Sequence, residues 1–287
     1  MPRYDVNGKV ALITGGGRGI GLGIATALAA RGASIALVDI EADTVQEAAA
    51  RLPASAIGLT ADVTNVEAIE AAVAGAVERF GGVDIVVANA GIAPAPASAR
   101  IMDPVEFERV VEVDLLGVYR TIHAGMDQIV ARRGQAVLVS SVYAFLNGML
   151  LSPYAVAKAG VEQLGRALRV ELAAHGASAT VAYFGFVDTR MVQEGLEQRR
   201  AVSDDDEELL PGLLRKMITP EHAGEAVARA IERRRARVIA PRWWAAWSTL
   251  RGVVNPALDF AAARAPKVQE VLREADREPS APRKRHS

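Results

Sequence analysis

Hydrophobic residues along the chain fall into short continuous runs that alternate with longer amphipathic stretches. The runs are rich in Val, Ile and Ala and lack polar alternation, which is typical of parallel strands buried on both faces. They predict strands at residues 9–14, 34–39, 56–60, 84–89, 135–141, 177–183 and 236–240. Helical spacing between these runs predicts helices near 19–31, 41–51, 65–80, 104–132, 153–175 and 220–234.

Strand–helix alternation of this kind predicts an α/β fold: a Rossmann-type, doubly wound, mostly parallel seven-stranded sheet with helices on both faces. No linker or repeat interrupts residues 1–240, so we expect a single domain there. Residues 190–217 match no sheet unit. Residues 241–287 form a C-terminal extension, whose last ten or so residues we expect to be disordered.

Composition and charge narrow the class of protein. Of the 287 residues 51% are hydrophobic and 5% aromatic, which suits helices packed on a sheet and not a disordered chain. The net charge of −1 gives no bulk attraction to nucleic acid or anionic lipid. The sequence contains no Cys, which excludes disulfides and thiolate chemistry. No secretory signal or bilayer-spanning apolar run is visible, so we expect a cytoplasmic protein.

A glycine-rich loop lies between the first predicted strand and the first predicted helix. It reads Thr14-Gly15-Gly16-Gly17-Arg18-Gly19-Ile20-Gly21. Glycines let the backbone turn tightly and approach a pyrophosphate, which the amides and dipole of the helix N-terminus attract. Such a loop, about twenty residues before an acid that ends the next strand, indicates dinucleotide binding.

That acid is Asp39, whose carboxylate can accept hydrogen bonds from an adenosine ribose and would repel a 2′-phosphate. It therefore favours NAD over NADP. Arg18 has the opposite tendency, since a guanidinium in this loop can meet a phosphate, or it is simply an exposed loop charge. We give Asp39 more weight because its repulsion is direct, whereas solvent and other partners are available to Arg18.

Tyr154 and Lys158 lie four residues apart in a predicted helix, which places them on one face, about 5–6 Å apart at Cβ. A phenol normally holds its proton until about pH 10, and a nearby ammonium favours the phenolate. The pair can therefore donate or accept a proton near neutral pH. Most pairs at this spacing are only surface neighbours, so the interpretation depends on the other motifs.

With Asn89-Ala90-Gly91 added to these motifs, the chain resembles the short-chain dehydrogenases/reductases over roughly residues 7–240. The resemblance implies that Asp62 contacts adenine and that the Asn89 motif steadies the sheet. The cofactor-binding residues that it implies are Gly15, Arg18, Gly19, Ile20, Gly21, Asp39, Asp62, Val63, Asn89, Gly91, Tyr154, Lys158, Val187 and Thr189.

The resemblance also implies a catalytic group. Ser141, in preference to its neighbour Ser140, matches the catalytic serine. Tyr154 matches the general acid/base, and Lys158 would bind the nicotinamide ribose and lower the pKa of the tyrosine. In ketone reduction NADH would supply the hydride, Tyr154 the proton, and the Ser141 hydroxyl would polarise the carbonyl.

These implications lead to an expected activity and expected partners. We expect an NAD-dependent dehydrogenase or ketone reductase that acts on a small hydrophobic secondary alcohol or ketone, without a metal or nucleic acid. A homodimer or homotetramer is the expected assembly. The alternative is a non-catalytic dinucleotide-binding sensor or structural protein of the same fold. A lyase or epimerase that uses the cofactor transiently is a third hypothesis.

Two positions depart from the family's pattern. Asp114, the fourth candidate catalytic residue, lies where the family usually has Asn, which helps to hold a water that relays protons to the lysine. An anion there would attract Lys158 and raise its pKa, or Asp114 is a tolerated replacement without a special role. Phe184 lies before Gly185, where Pro is common, and it either shapes the pocket or packs against the sheet.

The resemblance implies that residues 190–217 cover the substrate. Apolar residues in this segment and just before Tyr154 are candidates for the substrate pocket or, alternatively, for ordinary core. They are Phe145, Leu146, Met149, Leu150, Leu151, Met191, Val192, Leu196, Leu209, Leu210, Leu213, Leu214 and Met217. The acidic run 204–208 is expected to be a solvated face. In the extension, apolar spacing over 243–254 predicts an amphipathic helix, kept short by Pro241 and Pro256. We expect it to pack on a neighbouring subunit or pocket in preference to a membrane interface.

Overall fold

A seven-stranded parallel sheet forms the centre of the protein. The computed structural model describes residues 3–202 and 216–277. The strand order is β3-β2-β1-β4-β5-β6-β7. The strands are β1 Val10–Thr14, β2 Ser34–Asp39, β3 Ala56–Thr60, β4 Ile85–Ala88, β5 Gln135–Ser141, β6 Ser178–Phe184 and β7 Arg237–Ala240.

Helices cover both faces of the sheet. In the described part of the chain they are α1 Gly19–Ala29, α2 Ala42–Arg51, α3 Val66–Phe80, α4 Pro104–Val111, α5 Gly117–Ala124, α6 Met126–Ala131, α7 Ser152–Glu171, α8 Arg190–Val202, α9 Pro220–Glu232, α10 Trp244–Ala262 and α11 Pro266–Ala275. A π-helical turn, Glu112–Leu116, joins α4 to α5.

The core lies in two layers, one on each face of the sheet. Neighbouring residues of β1 point to opposite faces, so that Ile13 packs with Ile24 of α1 in one cluster. Leu12 packs with Ile122 of α5 and Val161 of α7 in the other. Burying an aliphatic side chain of this size stabilises the fold by about 1.5–3 kcal/mol. The continuous apolar runs in the sequence follow from burial on both faces.

Helix ends carry local signals that the sequence shows. Asn65 precedes α3, and its side chain accepts a hydrogen bond from the amide of Ala68 at 2.8 Å. Gly81 ends the same helix at φ +80°, a conformation that glycine adopts without a steric penalty. Thr219 caps α9 in the same way, and Pro220 occupies its first turn.

The reversal of strand order at the β1–β4 pair positions the site. Chain connections leave β1 toward one side of the sheet and β4 toward the other, so a crevice opens beyond the carboxyl ends of these two strands. The glycine-rich loop after β1 and Asn89 after β4 both lie at this crevice.

The predicted fold is confirmed, and each predicted strand agrees with the structure to within one residue at either end. The predicted helical stretch 104–132 is instead divided into α4, the π-helical turn, α5 and α6. The division of the chain into a domain of residues 1–240 and an extension stays a prediction.

The C-terminal extension differs most from expectation. The predicted short helix is wrong: α10 runs for 19 residues and continues through Pro256. A further helix, α11, follows it. Both pack against the same chain, with Trp244 fully buried beside Phe145 and Tyr183. No helix in the described part of the chain is long and apolar enough to cross a membrane. The predicted disordered end, the acidic run 204–208 and Leu209–Leu214 lie outside the described residues.

Candidate functional site

A cavity of about 1290 Å³ opens beyond the carboxyl ends of β1, β2, β4, β5 and β6. Fifteen of the sixteen predicted site residues line it: Gly15, Arg18, Gly19, Ile20, Asp39, Asp62, Val63, Asn89, Gly91, Asp114, Ser141, Tyr154, Lys158, Val187 and Thr189. The sixteenth, Gly21, lies directly behind the loop. The fold therefore gathers in one place residues that are up to 174 positions apart in the sequence.

The glycine-rich loop needs glycine for close approach. Gly15 has φ +61° and Gly19 has φ +55°. A side chain at Gly21 would overlap the carbonyl oxygen of Gly15. The loop therefore presents bare backbone at the N-terminus of α1, where amides and the helix dipole attract an anion. This concave surface fits the pyrophosphate of a dinucleotide.

Asp39 anchors the loop beside the end of β2. Its Oδ2 accepts a hydrogen bond from the Gly17 amide at 3.0 Å, and its Oδ1 accepts one from the Glu41 amide at 3.3 Å. The carboxylate borders the cavity at the place where an adenosine ribose is expected.

Arg18 is ion-paired with Glu41, a residue that the sequence analysis did not single out. The hydrogen bond between the two raises the pKa of Arg18 and lowers the pKa of Glu41. Both side chains are exposed to solvent, so the pair contributes little to stability. It does place a second carboxylate beside Asp39 and supplies Arg18 with a counter-ion.

The second side of the cavity is built from the ends of β3 and β4. Asp62 Oδ1 accepts a hydrogen bond from the Thr64 amide at 2.8 Å. The Asn89 amide group donates to the carbonyl oxygens of Thr14 and Gly15, both at 3.0 Å. Asn89 thus fastens β4 to the start of the glycine-rich loop, as the resemblance implied. Val63 is buried and packs against Gly117 of α5.

The four residues predicted as catalytic meet at the floor of the cavity. Lys158 Nζ lies 3.1 Å from Asp114 Oδ2 and 5.3 Å from the centre of the Tyr154 ring. Lys158 Nζ also donates a long hydrogen bond, 3.5 Å, to the Val139 carbonyl. Ser141 lies close enough to the Tyr154 phenol for its hydrogen bond to lower the pKa of the tyrosine.

The π-helical turn supplies Asp114, whose side chain is fully buried. Its Oδ1 accepts a hydrogen bond from the Ile92 amide at 2.7 Å, next to Gly91. A Cβ at Gly91 would be 3.1 Å from Asp114 Oδ2, so the glycine leaves room for the carboxylate. Asp114 therefore joins the loop after β4 to Lys158.

Burial and charge act on the pKa values of this group in opposite directions. Burial raises the pKa of Asp114, against the effects of Lys158 and the Ile92 amide. Burial alone would lower the pKa of Lys158, but Asp114 and Tyr154 outweigh it, and this pKa lies above its ordinary value. The increase for Lys158 is the direction that the sequence analysis predicted.

The pKa of Tyr154 is a correction to the sequence analysis. Burial raises this pKa and Asp114 adds to the increase, while Lys158 lowers it without reversing the result. By accessible surface, however, the Tyr154 side chain is only partly buried, because it faces the open cavity. Closure of the cavity by a ligand would therefore increase the effect of burial on the pKa of Tyr154.

The two neighbouring serines of β5 have different partners. Ser140 Oγ donates a hydrogen bond to the Lys158 carbonyl at 2.9 Å and lies within the fold. Ser141 Oγ donates to the Phe184 carbonyl at 3.3 Å and accepts from the Tyr143 amide at 3.3 Å. Ser141 is the one whose hydroxyl group adjoins Tyr154.

Segments after β6 form the remaining wall. Val187 is buried and forms a short parallel bridge with Ile218. Thr189 begins the turn into α8, where its Oγ1 accepts a hydrogen bond from the Val192 amide at 3.4 Å. Met191 and Val192 line the cavity as predicted, whereas Met217 does not. The side chain of Leu196 lies outside the described residues.

The apolar segment before Tyr154 does not line this cavity, which corrects the pocket interpretation. Phe145 and Leu150 are buried against the C-terminal helices instead. Phe184 is buried in the core beside Val139 and Val187, so its ring packs with the sheet even though the residue borders the cavity.

Lining residues that the sequence analysis missed include Ile92 and Ala93 after β4, and Arg109 and Glu112 near the end of α4. Arg109 and Glu112 are three residues apart and therefore share one helix face. Nothing in their local pattern separates them from other polar helix residues. Among the described residues no group of three or more His, Asp and Glu could hold a metal ion.

Comparisons with known proteins agree with this geometry. A family model described as short chain dehydrogenase matches residues 9–200. Cis-4-hydroxycyclohexanecarboxylate dehydrogenase of Sinomonas cyclohexanicum is 36% identical over 187 residues, 64% of this chain and 75% of that protein. The reductase FabG of Escherichia coli K12, named for 3-oxoacyl-acyl-carrier-protein, is 35% identical over 202 residues, 70% and 80% of the two chains.

A solved structure, that of levodione reductase, superimposes with a TM-score of 0.72 at 28% identity and covers 78% of this chain and 90% of its own. The matched region contains the glycine-rich loop, Asn89, Ser141, Tyr154 and Lys158. The chain therefore belongs to the short-chain dehydrogenases/reductases, a family of oxidoreductases that bind a nicotinamide dinucleotide.

Proposed function

We propose that this protein is an NAD(H)-dependent oxidoreductase that interconverts a hydrophobic secondary alcohol and its ketone. The observation that carries the proposal is the group formed by Ser141, Tyr154, Lys158 and Asp114 at the floor of a cavity that begins at the glycine-rich loop. This group can hold and move a proton at one end of the cavity, while the other end fits a dinucleotide.

The cofactor site is proposed from the loop and its two carboxylates. The backbone from Gly15 to Gly21 would hold the pyrophosphate, and Asp39 would bind the adenosine ribose. Asp39 and Glu41 lie together at that end, and Arg18 already has Glu41 as its counter-ion. Two negative charges disfavour a 2′-phosphate, which supports NAD in preference to NADP. When bound, NADH would supply the hydride for ketone reduction and NAD would accept it in alcohol oxidation.

The proposed proton path uses this chain's own residues. Tyr154 would donate its phenolic proton to the ketone oxygen, or remove the alcohol proton in the reverse direction. Ser141 would position and polarise the same oxygen by hydrogen bonding. Lys158, held by Asp114, would orient the nicotinamide ribose and stabilise the phenolate. Asp114 would act through Lys158.

An apolar substrate is supported by apolar residues in the cavity lining, namely Ile92, Ala93, Met191 and Val192. The names of the relatives point to a hydroxycyclohexane carboxylate, a 3-oxoacyl group and levodione. Compounds of these types, together with simple hydrophobic secondary alcohols, form the substrate panel for the experiment.

The proposed assembly is a homodimer or homotetramer. Exposed apolar side chains on α5 and α7 and on the π-helical turn support it: Leu116, Tyr119, Val156 and Val170. Light scattering after gel filtration would measure the assembly, and a monomer at micromolar concentration would contradict this part of the proposal.

The test of the function is absorbance at 340 nm with this panel, in which alcohols are supplied with NAD or NADP and ketones with NADH or NADPH. We expect NADH formation by the wild type and a loss of roughly 10²–10⁴-fold in kcat for Tyr154→Phe. The matched control is Tyr143→Phe, which removes the hydroxyl group from the ring that packs edge-on against Tyr154, with ring centres 5.9 Å apart. Tight NAD binding without turnover on the whole panel would overturn the proposal and support the sensor alternative.

A further inference from the structure

The loop that connects Ser141 to Tyr154 rests on the C-terminal extension. This loop consists of residues 142–151, and none of them lines the cavity. On the side away from α7 it packs with residues of α10 and α11. Because Ser141 and Tyr154 stand at its two ends, the shape of this loop sets how their hydroxyl groups face each other.

Helix α10 holds the first half of the loop. Asn255 Nδ2 donates a hydrogen bond of 2.6 Å to the Phe145 carbonyl, and Asn255 Oδ1 accepts one of 3.0 Å from Trp247 Nε1. The indole of Trp244 packs in the same cluster as the Phe145 ring. Both the nitrogen and the oxygen of the Asn255 amide group are therefore hydrogen-bonded. A second hydrogen bond joins the loop to α10, from Asn147 Nδ2 to Asp259 Oδ1 at 2.9 Å.

Helix α11 holds the second half of the loop. Leu150 is in the left-handed region at φ +66° and is buried. A side chain is disfavoured there, and such a conformation persists only where its surroundings impose it. The surroundings are Val271 and Ala275 of α11, which pack on Leu150. The Leu150 carbonyl in turn accepts a hydrogen bond of 3.0 Å from the Ala97 amide.

The end of α11 joins this arrangement to a second loop. Asp276 accepts hydrogen bonds from the Ser98 hydroxyl and from Arg100 Nε, the latter at 2.9 Å. Residues 97–100 belong to the loop after β4, which also carries the cavity residues Ile92 and Ala93. Helix α11 also contacts α8, which carries Met191 and Val192. One helix therefore touches the loops after β4 and β5 and the helix that borders the cavity.

An ion pair ties α10 to the helix of Tyr154 and Lys158. Arg251 binds Glu162 of α7 through two contacts of 2.7 and 2.8 Å. Glu162 is buried, and it lies one helical turn beyond Lys158 on the same face. The geometry of two parallel N–H···O bonds fixes orientation as well as distance.

We propose that residues 241–277 are a positioning element for the reaction, with Asn255 and Asp276 as its positioning residues. Asn255 sets the separation of Ser141 and Tyr154 through the Phe145 carbonyl. Asp276 sets the position of residues 97–100 and, through this loop, the position of the cavity residues Ile92 and Ala93. The proposal rests on the proposed function, and it adds that the extension serves its own subunit's site.

The test compares Asn255→Ala and Asp276→Ala in the full-length protein, with Ile231→Val as matched control. Ile231 is fully buried in α9 on the other layer of the core, so the control lowers the melting temperature without touching the extension. For Asp276→Ala we expect the KM of the alcohol to rise about three- to tenfold with kcat within about twofold. For Asn255→Ala we expect kcat to fall about tenfold.

Both variants are expected to bind NADH as the wild type does. Asp276→Glu is expected to recover part of the KM, because it keeps the acceptor for Arg100. Equal loss of kcat, substrate affinity and NADH binding in all three variants, in step with melting temperature, would overturn the proposal. So would unchanged kinetics in both variants.

A second measurement keeps the proposal testable without turnover. Amide hydrogen exchange at residues 97–100 and 142–151 is expected to speed up in both variants and to stay unchanged in Ile231→Val. A wild type without dehydrogenase activity but with this pattern would refute the proposed function and leave the loops held as described. If exchange in both loops is unchanged in Asn255→Ala and Asp276→Ala, the proposal that the extension is a positioning element is refuted.

Discussion

Asp114 and Lys158 form a buried ion pair, with Oδ2 and Nζ 3.1 Å apart. Neither side chain has appreciable contact with solvent. A pair in this situation is costly to break, because removing one partner leaves the other charge buried and unpaired. The pair therefore fixes the charge and position of Lys158 next to Tyr154.

Asp114→Asn is expected to move the pH profile of alcohol oxidation to lower pH. The carboxylate raises the pKa of both Lys158 and Tyr154, so its removal lowers both. Oxidation requires deprotonated Tyr154, and its rate rises with pH through the pKa of that group. The measurement is kcat/KM against pH, which reports the free enzyme.

Asp127→Asn provides the control for that experiment, because it removes the same charge from an exposed position on α6. Its profile should match that of the wild type. If Asp114→Asn leaves both activity and profile unchanged, the electrostatic role of Asp114 is refuted and the residue is a tolerated replacement.

The two serines of β5 should separate catalysis from stability. Ser141→Ala is expected to lower kcat by roughly 10²–10³-fold, since a hydrogen bond to the reacting oxygen is lost. Ser140→Ala removes the hydrogen bond to the Lys158 carbonyl and should lower the free energy of unfolding by about 1 kcal/mol, with kcat changed only a few-fold. Steady-state kinetics and urea denaturation measure the two effects. If Ser140 were the catalytic serine, Ser140→Ala would show the large loss of kcat and Ser141→Ala the small one.

Asp39→Asn is expected to weaken the preference for NAD. The amide keeps an oxygen that can accept from the Gly17 amide, so the loop should hold its shape, while the charge that opposes a 2′-phosphate is lost. We expect kcat/KM with NADP to rise about tenfold relative to NAD. Asp43→Asn, which makes the same charge change in the first turn of α2, should leave the ratio unaltered. An unchanged ratio in Asp39→Asn would mean that Arg18 and Glu41 set the preference.

Gly185→Ala is expected to destabilise the fold at the junction with the extension. A Cβ at this position would lie 2.5 Å from Trp244 Nε1, and Trp244 is fully buried. We expect the free energy of unfolding to fall by about 1–3 kcal/mol. Gly75→Ala in α3 is the control, because its Cβ would meet only ordinary contacts at 3.5 Å and glycine is unfavourable in a helix. Thermal unfolding should show opposite signs for the two variants.

The sheet and the cofactor loop could be predicted because their causes are local. Burial on both faces produces the continuous apolar runs, and close approach to a ligand requires glycine at particular positions. Lys158 follows Tyr154 by one helical turn, so helix geometry alone brings them together. Each of these signals lies within a few residues of the structure that it predicts.

The partners of Asp114 and of the C-terminal helices depend on contacts that sequence spacing does not show. An extra residue in the π-helical turn changes the direction in which Asp114 points, and the helical period does not reveal it. Pro256 suggested a helix end, yet α10 passes through it, because packing against Phe145 and Glu162 outweighs one missing backbone hydrogen bond. Phe145 and Leu150 were candidates for the pocket because they are apolar and precede Tyr154. The sequence does not show that α10 and α11 cover them.

The order of the elements along the chain has a consequence for synthesis. The seventh strand ends at Ala240. A nascent chain that has left the ribosome up to this residue therefore contains the whole sheet and every residue of the proposed cofactor site. The loop between Ser141 and Tyr154 gains its full support only after Ala275 has left the ribosome, 35 residues later. Folding during translation would therefore produce a dinucleotide-binding intermediate first and a reactive enzyme last.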